Sequence, residues 1–127
     1  MVDSRLRREH DLALSWFEAM QIIDSKPRCR VNDIADALSI TIGGTSKLVD
    51  RIETAGWCAR SPNPDDGRSS VIELTKSGRR MLAAALRSFT DEVNIRLIEP
   101  LSPDELQCFT ATIHKLRQHL NAQRRNA

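Results

Sequence analysis

Two cations four residues apart, Lys47 and Arg51, and a third, Arg68, just beyond a stretch rich in Pro and Gly, are the side chains best spaced to do chemistry. Lys47 and Arg51 fall on one face of a helix whose other face carries Thr45, Leu48, Ile52 and Ala55. The outer face also holds Gly43, Gly44, Ser46 and Asp50. Small residues, hydrogen bonders and cations together suit a helix laid in the major groove of DNA, so the chemistry is recognition rather than bond breaking. Other constellations are weaker. Asp65 and Asp66 are adjacent carboxylates on a loop with no supporting base, which argues against a hydrolase. His114 and His119 are five apart and turn away from each other on a helix, and His10 is distant, so we expect no metal site and no cofactor. Cys29, Cys58 and Cys108 are odd in number and widely spaced, unlike a disulfide framework or a zinc knuckle. Arg28 and Arg30 flank Cys29 and would lower its pKa, which keeps a thiol-based redox sensor open as an alternative.

These residues must be positioned by a small fold. The chain has 127 residues, a formal net charge of +2 and 28% charged residues, ordinary values for one globular domain with its own core. It carries neither an apolar run long enough for a membrane span nor the apolar core of a signal peptide in MVDSRLRREHDL, so we expect a cytoplasmic protein. Between Arg28 and Arg68 there are six cations and six anions, so nucleic-acid binding has to be argued from placement and not from bulk charge.

Residues 1 to about 10 resemble the tail of a helix. Leu12, Trp16, Met20 and Ile23 then recur at helical spacing as far as about Asp24. From Val31 a short helix buries Ile34, Ala35 and Leu38; Ser39-Ile40-Thr41 turns the chain, Thr41 caps the second helix, and Gly56 ends it. Trp57 to Ser61 and Arg68 to Leu74 predict a β-hairpin joined by a long loop from Pro62 to Gly67, a wing directly after a helix-turn-helix. Thr75 caps a helix predicted to run to about Ile98, with Leu82, Leu86, Phe89, Val93 and Leu97 on one side. That is roughly 35 Å, too long for a domain of this size to cover alone. Ser102-Pro103-Asp104-Glu105 starts a last helix with a capping box, and its seam of Leu106, Phe109, Ile113, Leu116 and Leu120 alternates steps of three and four. The seam packs either on the preceding helix or on a second copy of the chain. The tail after Leu120 is polar and expected to fray.

In this order of elements, and in the local motifs LSITIGGTSKLVDRIETAGW and NPDDGRSSVIELTKSGR, the chain resembles the MarR family of bacterial transcription regulators. The second motif holds the family's wing signature as Asp66, Arg68, Leu74, Thr75 and Gly78. The resemblance implies a mainly α fold with a small β-hairpin wing, a winged helix-turn-helix that dimerises through its N- and C-terminal helices. It implies one domain over 1–127, with a DNA-binding lobe at about 25–75 and a helical dimerisation region at about 1–24 and 76–127. Carried over by position, the DNA-binding residues are Thr41, Gly43, Gly44, Thr45, Ser46, Lys47 and Arg51, with Arg68 as the wing arginine. Asp66 is expected to orient Arg68 or the wing backbone, since a carboxylate facing phosphate is repelled. The two glycines each weaken a helix by roughly 1 kcal/mol relative to Ala, a cost consistent with close approach to DNA. Family members carry a longer first helix, whereas about ten residues precede the helix at Asp11 here.

The implied function is that of a homodimeric regulator, not an enzyme, which binds a pseudo-palindromic operator in double-stranded DNA and represses until a small molecule releases it. Trp16, Met20 and Phe89 are the candidate lining for a small aromatic effector. A winged-helix module that contacts protein and not DNA is the competing class, permitted by the balanced charge.

Overall fold

The computed structural model describes residues 1–126; Ala127, the end of the expected frayed tail, lies outside the described residues. The elements are helices α1 (Val2–His10), α2 (Leu14–Ser25), α3 (Val31–Leu38) and α4 (Ile42–Thr54), strands β1 (Cys58–Asn63) and β2 (Asp66–Leu74), then helices α5 (Lys76–Val93) and α6 (Pro103–Asn126). The chain forms two compact units that divide after Thr90.

In the first unit the expected stripe is found in part: α2 starts at Leu14, so Leu12 lies in the loop before it, and Trp16 is half-buried. Leu12, Phe17, Met20 and Ile23 are buried and share one core with Leu6 of α1, Ile34 of α3, Leu48, Val49 and Ile52 of α4, Ile72 and Leu74 of the wing, and Leu82 of α5. Each such side chain, fully removed from water, contributes about 1.5–3 kcal/mol. α1 and α2 therefore pack in the same unit as the winged lobe, and the contacts do not divide near residue 25.

The turn between α3 and α4 is built as its residues dictate. Ser39 adopts the left-handed conformation at φ 58°, and the Gly44 amide donates to Thr41 Oγ1 at 3.1 Å, capping α4. At the other end Gly56 sits at φ 84°, its amide bonded to the Glu53 carbonyl at 2.9 Å while the Trp57 amide reaches that of Ile52 at 3.1 Å. This pair of bonds is a Schellman motif, and glycine fits its left-handed position without strain. Ala55, expected inward, is exposed because the helix ends at Thr54; Val49 takes its place in the buried stripe.

The wing differs from the expected hairpin. Both strands extend further, leaving Pro64 and Asp65 as the turn, and the surplus residues appear as a bulge. The register jumps from Pro62↔Ser70 to Asn63↔Asp66, so Gly67, Arg68 and Ser69 have no Cα partner on β1. At the base of the wing, Thr75 Oγ1 donates to the Gly56 carbonyl at 2.6 Å and accepts from the Gly78 amide at 3.0 Å. Gly78 lies so close to the Trp57 backbone that a Cβ would stand 1.9 Å from the Trp57 carbonyl oxygen. This explains Leu-Thr-x-x-Gly physically: only glycine lets α5 start against the Trp57 backbone.

In the second unit the long helix changes character. Its α-helical part stops at Val93, and a π-helical turn, Asn94–Ile98, completes the run that was expected to be regular. The capping box forms at the start of α6, with the Glu105 amide on Ser102 Oγ at 3.2 Å and the Ser102 amide on Glu105 Oε1 at 3.1 Å. α6 continues helical to Asn126, past the point where fraying was expected.

Candidate nucleic-acid interface

Three elements of the first unit present the expected recognition residues, and the acids among them decide which cations are available. Arg28 is tied to Asp65 at 2.6 Å and to Asn63 Oδ1 at 3.2 Å. Arg60 bridges Asp50 at 2.8 Å and Glu53 at 3.1 Å, and also donates to the Ser46 carbonyl, fastening α4 to β1. Lys26 holds Asp33 at 2.8 Å, with Arg30 further off at 3.8 Å. Asp66 Oδ1 accepts the Arg68 backbone amide at 3.0 Å, so this carboxylate shapes the bulge as expected of it. Lys47, Arg51 and the Arg68 guanidinium are exposed and make no ion pair among the described residues. A segment balanced in bulk charge thus offers three uncompensated cations from one recognition helix and one wing.

Arg68 does not pair with Asp65, because Arg28 has already claimed that carboxylate. Asn63, buried at the bulge, holds the turn from inside by accepting the Asp65 amide at 3.0 Å and donating to Ser69 Oγ at 3.0 Å. The long side chain of Arg68 is therefore carried on a braced bulge rather than on a slack loop. A cleft of about 420 Å³ lies between this bulge and the helices, walled by Arg30, Asn32, Ile42, Ser46, Arg60 and Arg68.

The structure treats the expected residues differently. Gly43, Gly44 and Lys47 lie on the exposed side, and Ser46 is half-buried. Thr41 serves as the cap, and Gly44 is explained partly by it, since a Cβ there would meet Thr41 Oγ1 at 3.0 Å. Gly43 has open space around it. Thr45 requires a correction: its side chain is fully buried, with Oγ1 donating to the Thr41 carbonyl at 2.7 Å, and cannot reach DNA. Its inward helical phase foretold this, against the positional analogy. The sequence reading missed Arg60 and Ile42. Arg60 lies in a strand whose charge partners are distant in the chain. The signal for Ile42 was an apolar residue placed just after a cap, off the buried stripe.

The candidate effector residues lie in the core or pack against it. Met20 is fully buried in the core and is withdrawn as a ligand contact. Phe89 packs on Phe17 with ring centres 5.0 Å apart. Trp16 meets Trp57 edge to face at 5.7 Å and lines a shallow depression with Asp50, Arg51, Thr54 and Ala55. The thiol argument also changes. Cys29 and Cys58 are buried; removal from solvent and a nearby carboxylate push each thiol up to about 11, the reverse of what the arginines beside Cys29 implied. Cys108 is exposed.

The MarR family profile matches residues 12–70, which span α2, the helix pair and most of the wing. Over these residues the chain is similar to the MarR family of regulators. It is 27% identical over 100 residues to the uncharacterized regulator YfiV of Bacillus subtilis, covering 76% of this chain and 60% of that protein's length. The multiple antibiotic resistance protein MarR of Escherichia coli is 25% identical over 84 residues, or 66% of this chain and 58% of its own length. The chain thus spans about 60% of the length of these curated relatives. Among solved structures, MepR of S. aureus in a complex with DNA superposes with a TM-score of 0.79 at 26% identity, covering 93% of this chain and 86% of MepR. No helix among the described residues is long and apolar enough to cross a membrane.

Proposed function

We propose that this protein is a homodimeric, sequence-specific DNA-binding regulator of transcription, not an enzyme, acting in the cytoplasm. One observation carries the reading: Asp33, Asp50, Glu53 and Asp65 are held by Lys26, Arg28 and Arg60, and Asp66 by a backbone amide, leaving Lys47, Arg51 and Arg68 exposed. α4 enters a major groove, Lys47 addresses a base edge or phosphate, Arg51 a phosphate, and Arg68 the adjacent narrow minor groove. The relative MepR, solved with DNA, supports this reading. So does the exposed seam of Phe109, Ile113, Leu116 and Leu120, which suits a second copy of the chain and hence an operator with two half-sites. Repression, relieved by a small aromatic molecule beside Trp16, is the regulatory sense the family supports.

Selection of duplexes from a random pool by the full chain, followed by footprinting, tests this proposal. The expected product is an inverted repeat protected on both halves, with weaker binding by Lys47→Ala and Arg51→Ala. Removing a cation that meets phosphate should weaken all sequences alike; removing one that reads a base should cost about 1–3 kcal/mol at one position. Recovery of no preferred duplex, or wild-type affinity in both variants, would contradict the reading.

A further inference from the structure

Ile40 and Ile42 are the large apolar side chains the helix-turn-helix leaves in solvent, at 44% and 59% exposure, while its other large apolar residues are buried or half-buried. Ile40 precedes the Thr41 cap in the turn, whereas Ile42 opens α4 and lines the cleft whose other walls include Arg30, Asn32, Ser46 and Arg68. The next two residues are Gly43 and Gly44, which add no side chain to this end of the helix, and a Cβ on Gly43 would meet no atom within 4 Å. Ile42 also takes no part in the cap, which uses the Thr41 hydroxyl and the Gly44 amide. A rigid, β-branched apolar group therefore projects from the first turn of the recognition helix into a cleft lined mostly by polar and charged residues.

We infer that Ile42 is a specificity-determining residue that packs on the C5-methyl group of a thymine in the major groove. The inference rests on the DNA-binding reading and adds what that surface distinguishes. Contacts to phosphate carry no sequence information, while the major-groove edge of thymine is the one that presents a methyl group. The N-terminal residues of a recognition helix are those that reach base edges, and with Thr45 buried and Gly43 and Gly44 lacking side chains, Ile42 is the first-turn side chain left to do so.

The test replaces each thymine of a selected duplex, one at a time, by deoxyuridine, which removes the methyl group and leaves every hydrogen-bonding group in place. Wild-type protein should bind one such duplex about fourfold more weakly, the effect of one methyl-sized apolar contact. Ile42→Ala should bind the thymine and uracil forms of that duplex equally. Equal wild-type binding to every uracil duplex would overturn the inference, as would a uracil effect that persists in Ile42→Ala. Because the uracil series with wild-type protein needs no variant, it stands whether or not Ile42→Ala folds. A chain that selects no duplex at all overturns the DNA-binding reading; one that selects a duplex but is blind to its methyl groups overturns only the role of Ile42.

Discussion

On α4 the apolar stripe of Leu48, Val49 and Ile52 is at most 9% exposed, whereas on α6 Phe109, Ile113, Leu116 and Leu120 are 50–56% exposed. Both stripes have regular helical spacing, and both helices are capped by a hydroxyl at their start. Spacing shows that a face is apolar; it does not say what covers it. The recognition helix is covered by its own lobe, because α2, α3 and the wing bring complementary residues from distant parts of the chain. No residue of α6 is buried among those described, and its seam stays available for a second chain. Charge follows the same division of labour in the lobe: contacts within the chain consume Arg28 and Arg60 and leave Lys47, Arg51 and Arg68 facing outward.

The covered side should break hardest. Gly78→Ala drives a methyl group into the Trp57 backbone, an atom that cannot rotate away, and should destabilise the lobe by about 3 kcal/mol or more. Urea denaturation followed by circular dichroism reads this directly, and an unchanged midpoint would mean that the junction of wing and helix yields freely. On the uncovered side Ile113→Asp should cost little within one chain, since the position is half exposed, yet it should abolish association. Sedimentation equilibrium at micromolar concentration is expected to give a folded monomer. A dimer of unchanged mass would put the interface elsewhere. The smallest effect is a difference in reactivity. At neutral pH iodoacetamide should modify Cys108 in the native protein, while Cys29 and Cys58, protonated and buried, should react only in denaturant. Mass spectra showing rapid native labelling of Cys29 would revive a redox role for it.

What the sequence revealed was local or periodic. The Thr41 cap, the Gly56 stop, the Ser102 capping box and the buried part of the α2 stripe all depend on neighbours within a turn or two, and all are found. What it concealed depended on partners far along the chain. The bulge that carries Arg68 is braced through Asn63 and Asp65 by Arg28, more than thirty residues away, so a register read from alternation alone gave a loop. Charges beside Cys29 are visible in the sequence, but its burial, the stronger influence, is not. Thr45 shows the limit of positional analogy, because a hydroxyl at a recognition position can serve the helix that carries it. Gly78 marks the opposite case: the family's pattern contained it, and the structure supplies the steric reason.

Cations that the fold leaves unpaired are the ones that should meet DNA, and Arg68 is the sharpest instance. Titrating the selected duplex with wild-type protein and with Arg68→Ala across a series of salt concentrations measures how many phosphates each neutralises. The expected plots of log Kd against log salt differ in both height and slope, with Arg68→Ala weaker at low salt and its slope shallower by about one. Superimposable lines from two equally folded dimers would contradict this and leave the braced wing arginine without a DNA contact.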